Sequence, residues 1–138
     1  MTGGAAHAPR WIGRWLMAVG AWHTLFGLWW FAAPLGRVVR AGVWNSVGWS
    51  DPGRAAAFWF LATGAFALLA GSLVDDAEAR SARLPVRFGW GLTAVALIGG
   101  VLLPVSGFWL LLVPGIGALR ARRRAAGMSL PSSLETVR

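Results

Sequence analysis

Polar positions in this chain fall into a few short blocks, and long uncharged runs lie between them. Trp15 to Ala33 carries no charge over 19 residues, Ala55 to Val74 none over 20, and Phe88 to Leu119 none over 32. Roughly 20 helical residues, at about 1.5 Å each, cross the hydrocarbon of a bilayer. The first two runs therefore predict one spanning helix each. The third is too long for one upright helix, and Pro104-Val105-Ser106-Gly107 interrupts it. Proline removes a backbone donor and collides with the preceding turn, while glycine permits a reversal. The prediction is an all-α fold: a bundle of four transmembrane helices over residues 11–33, 54–74, 84–103 and 107–122, the last two forming a tight hairpin. Residues 1–124 make one membrane domain, and 125–138 make a disordered cytoplasmic tail. The competing arrangement is one long, kinked and tilted third helix, since proline is tolerated inside membrane helices.

Charge chooses between the two. With four spans, both tails and the middle loop share one side, which holds Arg10, Arg14, Arg80, Arg83, Arg87, Arg120, Arg122, Arg123, Arg124 and Arg138. The other side holds Arg37, Arg40 and Arg54. Three spans would reverse the majority, so the excess of arginine on cytoplasmic loops predicts four spans with both ends inside. Tryptophan agrees with this arrangement. Trp11, Trp15 and Trp90 fall at the inner interface, Trp29, Trp30, Trp59 and Trp109 near the outer one, and Trp44 and Trp49 in the outer loop. Amphipathic rings collect at headgroup level in this way. In the loop Pro34–Gly53, Val38, Val39, Val43 and Trp44 predict one face of a short interfacial helix, with Arg37 and Arg40 on the other. The first apolar run is followed by Pro34 and reads as an uncleaved helix.

Composition narrows the function classes. Hydrophobic residues make up 57% of the chain and charged residues 13%, against about 25% charged in soluble domains. That excludes disorder and disfavours a soluble domain. There is no cysteine, which removes disulfides, thiol catalysis and cysteine-held metals. A net charge of +8 would suggest nucleic acid in a soluble protein. Here the arginines flank apolar runs, no nucleic-acid module is visible, and the expected partner is the lipid bilayer.

Bilayer helices approach one another through small residues. Gly13, Gly20 and Gly27 recur at seven-residue spacing, with His23 on their face. Ala56, Thr63, Ala67 and Ala70 form a comparable stripe on the second helix, and Gly89, Thr93, Ala96 and Gly100 one on the third. Gly20, Gly27, Thr63 and Thr93 are the expected packing positions.

His23 is the one ionisable group well inside a span, and such a group is a candidate for proton relay, acid–base catalysis or ligation. The plainer alternative is a neutral histidine tying two helices through Thr63 or a backbone carbonyl. No Cys, Asp or Glu lies at its depth, so neither a metal nor a cofactor is expected. Asn45 and Ser46, bracketed by Trp44 and Trp49, are candidates to cap a cavity opening to the outer leaflet. Trp59, Ser106 and Trp109 would line its rim for a lipid-like or planar ligand. The plainer readings are an anchor belt and a hairpin turn. Ser106 has no base at its own depth. No P-loop, G-x-S-x-G elbow or H-E-x-x-H pair occurs.

The segments Trp11-Ile12-Gly13-Arg14-Trp15-Leu16, Trp22-His23-Thr24-Leu25-Phe26-Gly27, Ala41-Gly42-Val43-Trp44-Asn45-Ser46, Phe58-Trp59-Phe60 and Leu103-Pro104-Val105-Ser106-Gly107-Phe108-Trp109 resemble an uncharacterised family of small bacterial four-helix membrane proteins, similar in size and layout to the DoxX-like group. The resemblance covers roughly residues 10–120. It implies fold and compartment, the bacterial plasma membrane, and no activity or redox role. The expectation is a small structural or ligand-binding subunit that holds a hydrophobic molecule or partner at an aromatic outer rim. A membrane enzyme with His23 as acid or base is the first alternative. A transporter subunit working as a homo-oligomer is the second.

Overall fold

The computed structural model describes residues 10–48, 50–82 and 84–127, with side chains to 121. Among the described residues the chain is all-helical, as the pattern predicts. The elements are α1 (Ile12–Trp30), α2 (Ala32–Arg40), α3 (Pro52–Ala79), α4 (Val86–Leu102), a 3₁₀ turn (Gly107–Leu111) and α5 (Leu112–Gly127). The disordered tail expected over 125–138 does not begin at 125, because α5 continues through Gly127; residues 128–138 lie outside the described residues.

Proline punctuates these elements. Pro52 opens α3 and Pro85 immediately precedes α4. Pro34 and Pro114 are the third residues of α2 and α5, where no intrahelical donor is needed. Continued straight through from α1, Pro34 would collide with the carbonyl of Trp30. The chain instead bends by 70° at Phe31 between α1 and α2, and Phe31 O accepts from Leu35 N at 2.9 Å. The expected interfacial helix therefore starts earlier, at Ala32, and Val43 and Trp44 lie past its end.

The chain divides into two compact units, Met1–Ala79 and Arg80–Arg138. In the first, α1 and α3 run antiparallel along an interlocked seam. A Cβ at Gly27 would meet Phe60 and Leu61, one at Gly20 would meet Ala67 and Leu68, and one at Gly13 the backbone of Asp75. In return Gly64 receives Thr24 and Gly71 receives Met17. Gly20, Gly27, Ala57, Gly64 and Gly71 are all buried. The α3 seam thus repeats every seven residues, like that of α1, and runs one position on from the expected stripe. Thr63 is exposed.

In the second unit, α4 packs antiparallel to α5. Gly89 faces Leu119, and Gly115 faces Leu92 and Thr93. Thr93 thus sits at a helix–helix contact. Pro114 is fully buried.

The end of the α1–α3 pair at the N-terminus of α1 is tied by charge. The N-terminus of α1 has no cap of its own. Glu78, from the far end of α3, accepts from Ile12 N at 3.2 Å and from Gly13 N at 2.9 Å, satisfying two orphan donors. Asp75 pairs with Arg10 and, at 3.7 Å, with Arg14.

Among the described residues one helix, α3, is long and apolar enough to cross a membrane, and α1 with α2 makes a second if counted as one bent span. Val86–Leu102 and Gly107–Ala121 are apolar and shorter.

Candidate functional site

His23 stands on the buried face of α1, one turn below Gly27. Its Nε2 lies 3.1 Å from the carbonyl oxygen of Phe60. A carbonyl only accepts, so His23 Nε2–H donates and the tautomer is set by the neighbouring helix. The imidazole also stacks on the Phe60 ring, with centroids 3.8 Å apart and planes within 10°. Both contacts cross from α1 to α3. Of the two ties anticipated for a neutral histidine, this is the one to a backbone carbonyl; Thr63 donates to Trp59 O in its own helix at 2.8 Å.

The other mid-helix hydroxyls behave like Thr63. Thr24 donates to Gly20 O at 2.9 Å and Thr93 to Gly89 O at 2.8 Å. This i−4 back-bonding satisfies a hydroxyl inside an apolar helix without a partner elsewhere. Thr24, Phe60 and Gly64 complete the surroundings of His23 and were not singled out by the sequence reading. The signal that finds them is the spacing of Ala57, Gly64 and Gly71.

Above His23 the rings form a connected cluster. Phe60 touches Phe31 at 5.2 Å and Phe26 at 6.2 Å, and Phe26 touches Trp29 and Trp30 at 5.8 and 5.7 Å. Trp59 packs edge-on against Phe58 at 5.3 Å. These offset and edge arrangements are the favoured ones for aromatic pairs. Trp29 in the cluster is 71% exposed, and Trp59 in the Phe58 pair 65%.

The loop after α2 is braced from within. Gly42, Val43 and Asn45 adopt φ of 86°, 64° and 50°. A β-branched residue in this left-handed region is strained. Ser46 is buried, its hydroxyl donating to Val43 O at 2.7 Å, and Arg54 donates to Ser46 O at 3.1 Å. Trp44 is 91% exposed between the two left-handed residues Val43 and Asn45. Asn45 is exposed as well, and Trp49 lies outside the described residues.

Asp51 is the centre of the brace. Arg37 donates to it twice, Nε at 2.9 Å and Nη2 at 3.1 Å. The Arg54 side chain lies 3.0 Å away and its backbone N–H donates at 3.2 Å. An aspartate before Pro52 is the expected cap and opening of α3. The Arg37 hydrogen bonds, then the Arg54 backbone N–H and the charges of both arginines, outweigh desolvation and lower the Asp51 carboxyl to about 2.

In the second unit, Ser106 Oγ accepts from Phe108 N at 3.4 Å, and Trp109 Nε1 donates to Pro104 O at 2.9 Å. The Phe108 and Trp109 rings lie against Gly99 and Gly100. Both predicted residues thus close the turn between α4 and α5. Among the described residues, no three His, Asp or Glu side chains come together to hold a metal.

Fold and site together define an all-helical protein with one or two helices of membrane-spanning length, an exposed aromatic cluster, and mid-helix polar groups bonded to backbone. The chain belongs to the Family of unknown function (DUF6463), whose model matches residues 7–125. No curated protein and no solved structure matches it.

Proposed function

We propose that the chain is a multi-pass protein of the bacterial plasma membrane with four spans and both ends in the cytoplasm. It acts as a non-catalytic subunit that holds a hydrophobic molecule against the aromatic end of α1 and α3. The observation that carries this reading is the exposed ring cluster of Phe26, Trp29 and Trp30, with the exposed Trp59 on α3, beside polar side chains already committed to backbone carbonyls. A wide aromatic surface suits a lipid-like or planar ligand. The lipid setting is supported by α3, where only 22% of the most apolar stretch is buried. Large apolar side chains such as Trp22, at 66% exposure, also face outward, which would be a heavy liability in water.

His23 serves this protein as a tie between helices. Its donor nitrogen is spent on Phe60 O and its face on the Phe60 ring. That arrangement favours orientation of the helices over proton transfer.

Native mass spectrometry of the protein, extracted gently from its own membrane, tests the proposal. A stoichiometric hydrophobic small molecule is expected on the wild type and is expected to be lost from a Trp29→Ala/Trp59→Ala variant. Bulk phospholipid alone on the wild type, or full retention by the variant, overturns the binding role.

A further inference from the structure

Acidic residues are distributed unequally between the two units. Met1–Ala79 holds five arginines and four carboxylates, and four of the arginines pair with two of the carboxylates: Arg10 and Arg14 meet Asp75, and Arg37 and Arg54 meet Asp51. From Arg80 to Met128 the sequence contains seven arginines and no Asp or Glu. The antiparallel register of the second unit, with Gly89 against Leu119 and Thr93 against Gly115, brings Arg87 and Arg120 to one end of the α4–α5 pair, within about a turn of each other. Both are exposed. The α5 backbone continues helically through residues 122–124, which the sequence gives as three further arginines. Trp90, one turn along α4, is exposed beside them, at the position an indole takes under headgroups.

We infer that this end of the α4–α5 pair is a docking surface for the headgroup of an acidic phospholipid. The inference rests on the membrane reading above. Charge complementarity identifies the occupant: a cluster of cations with no carboxylate in its stretch of chain, bordered by exposed apolar side chains, matches a phosphate that comes attached to acyl chains. Arginine suits phosphate because its planar fork donates two hydrogen bonds at once. Each basic residue near an acidic membrane surface contributes roughly fivefold to association.

The test begins with carbonate extraction of membranes that contain the full chain. The protein is then placed in nanodiscs of phosphatidylcholine with a minor share of phosphatidylglycerol, and lipid retained through native mass spectrometry is identified. Phosphatidylglycerol is expected to be retained well above its input share. Arg87→Gln/Arg120→Gln is expected to lower that preference by roughly fivefold per arginine. Arg40→Gln, an exposed arginine in the other unit, is expected to leave it unchanged. Arg87→Lys/Arg120→Lys, which keeps the charge, is expected to keep most of it. An embedded chain with no preference overturns this inference alone, as does a glutamine variant that behaves like wild type. So does a lysine variant that fails as the glutamine variant does, because the role would then be structural. A chain released by carbonate overturns the membrane reading, and this inference with it.

Discussion

Gly71 and Gly91 are the same residue with opposite surroundings. A Cβ at Gly71 would lie 2.7 Å from the Met17 backbone nitrogen and 3.0 Å from Gly13 O, and backbone cannot step aside. A Cβ at Gly91 meets nothing within 4 Å. Gly71→Ala is expected to cost about 1–3 kcal/mol by overpacking. Gly91→Ala is expected to be neutral or to gain up to about 1 kcal/mol from helix propensity. Thermal melting in detergent checks both, and equal effects would mean that the seam is not where the structure puts it. His23 offers a second separation. His23→Phe retains a ring on Phe60 and loses the hydrogen bond, at about 1 kcal/mol. His23→Ala also loses the stack and is expected to cost about 1 kcal/mol more. The same melts report it, and an alanine variant no worse than phenylalanine would argue against the stack as a tie. Much of this was legible in the sequence. The Gly13, Gly20 and Gly27 repeat identified the α1 face and put His23 on it. The matching repeat of Ala57, Gly64 and Gly71 on α3 is equally visible, but a stripe drawn through Thr63 falls one residue aside if the hydroxyl is given an interhelical partner. Back-bonding to the i−4 carbonyl removes the need for one.

At the scale of an element, the bend between α1 and α2 turns on Pro34, and what holds the bent segment is Asp51. The carboxyl couples α2, through Arg37, to the first turn of α3, through Arg54. The pH dependence follows from the direction of its shift. A carboxyl lowered in the folded state to about 2, against about 3.9 in an unfolded chain, stabilises the fold fully above pH about 4. That contribution fades as pH falls from there through about 2. Hydrogen exchange over residues 37–48, corrected for its intrinsic pH dependence, is expected to stay flat down to pH about 4 and then accelerate. Asp51→Asn is expected to show the faster exchange already at neutral pH and little pH dependence below it. A wild-type loop whose protection is unchanged at pH about 2 would show that the brace is not ionic. The Asp-Pro pair announces the start of α3 in the sequence. The bracing itself was not legible there, because Arg37 and Asp51 are joined only after the chain folds back through the left-handed turn at Gly42, Val43 and Asn45.

For the whole molecule, charge carries the argument about orientation. Carboxylates neutralise the arginines at both ends of the α1–α3 pair, whereas the arginines around α4 and α5 have none in their stretch of chain. On the proposed membrane reading, the orientation follows the count of arginines, to which carboxylates contribute little. The sequence displayed it as a count of ten arginines against three, without saying which of them are already paired. Eight of those ten arginines lie in the second unit, so the proposed orientation depends most on it, and the absence of cysteine allows it to be tested without background. Asn45→Cys, in the loop after α2, is expected to react with a membrane-impermeant maleimide in intact cells. Ala82→Cys, between α3 and α4, is expected to react only after the membrane is opened. Arg87→Gln/Arg120→Gln and Arg10→Gln/Arg14→Gln in the same backgrounds are each expected to weaken the asymmetry, because basic residues are counted whether or not a carboxylate pairs with them. Reversed labelling would place the arginine-rich end outside and overturn the cytoplasmic assignment of both termini. Equal labelling of both sites in sealed cells would mean that no membrane separates them.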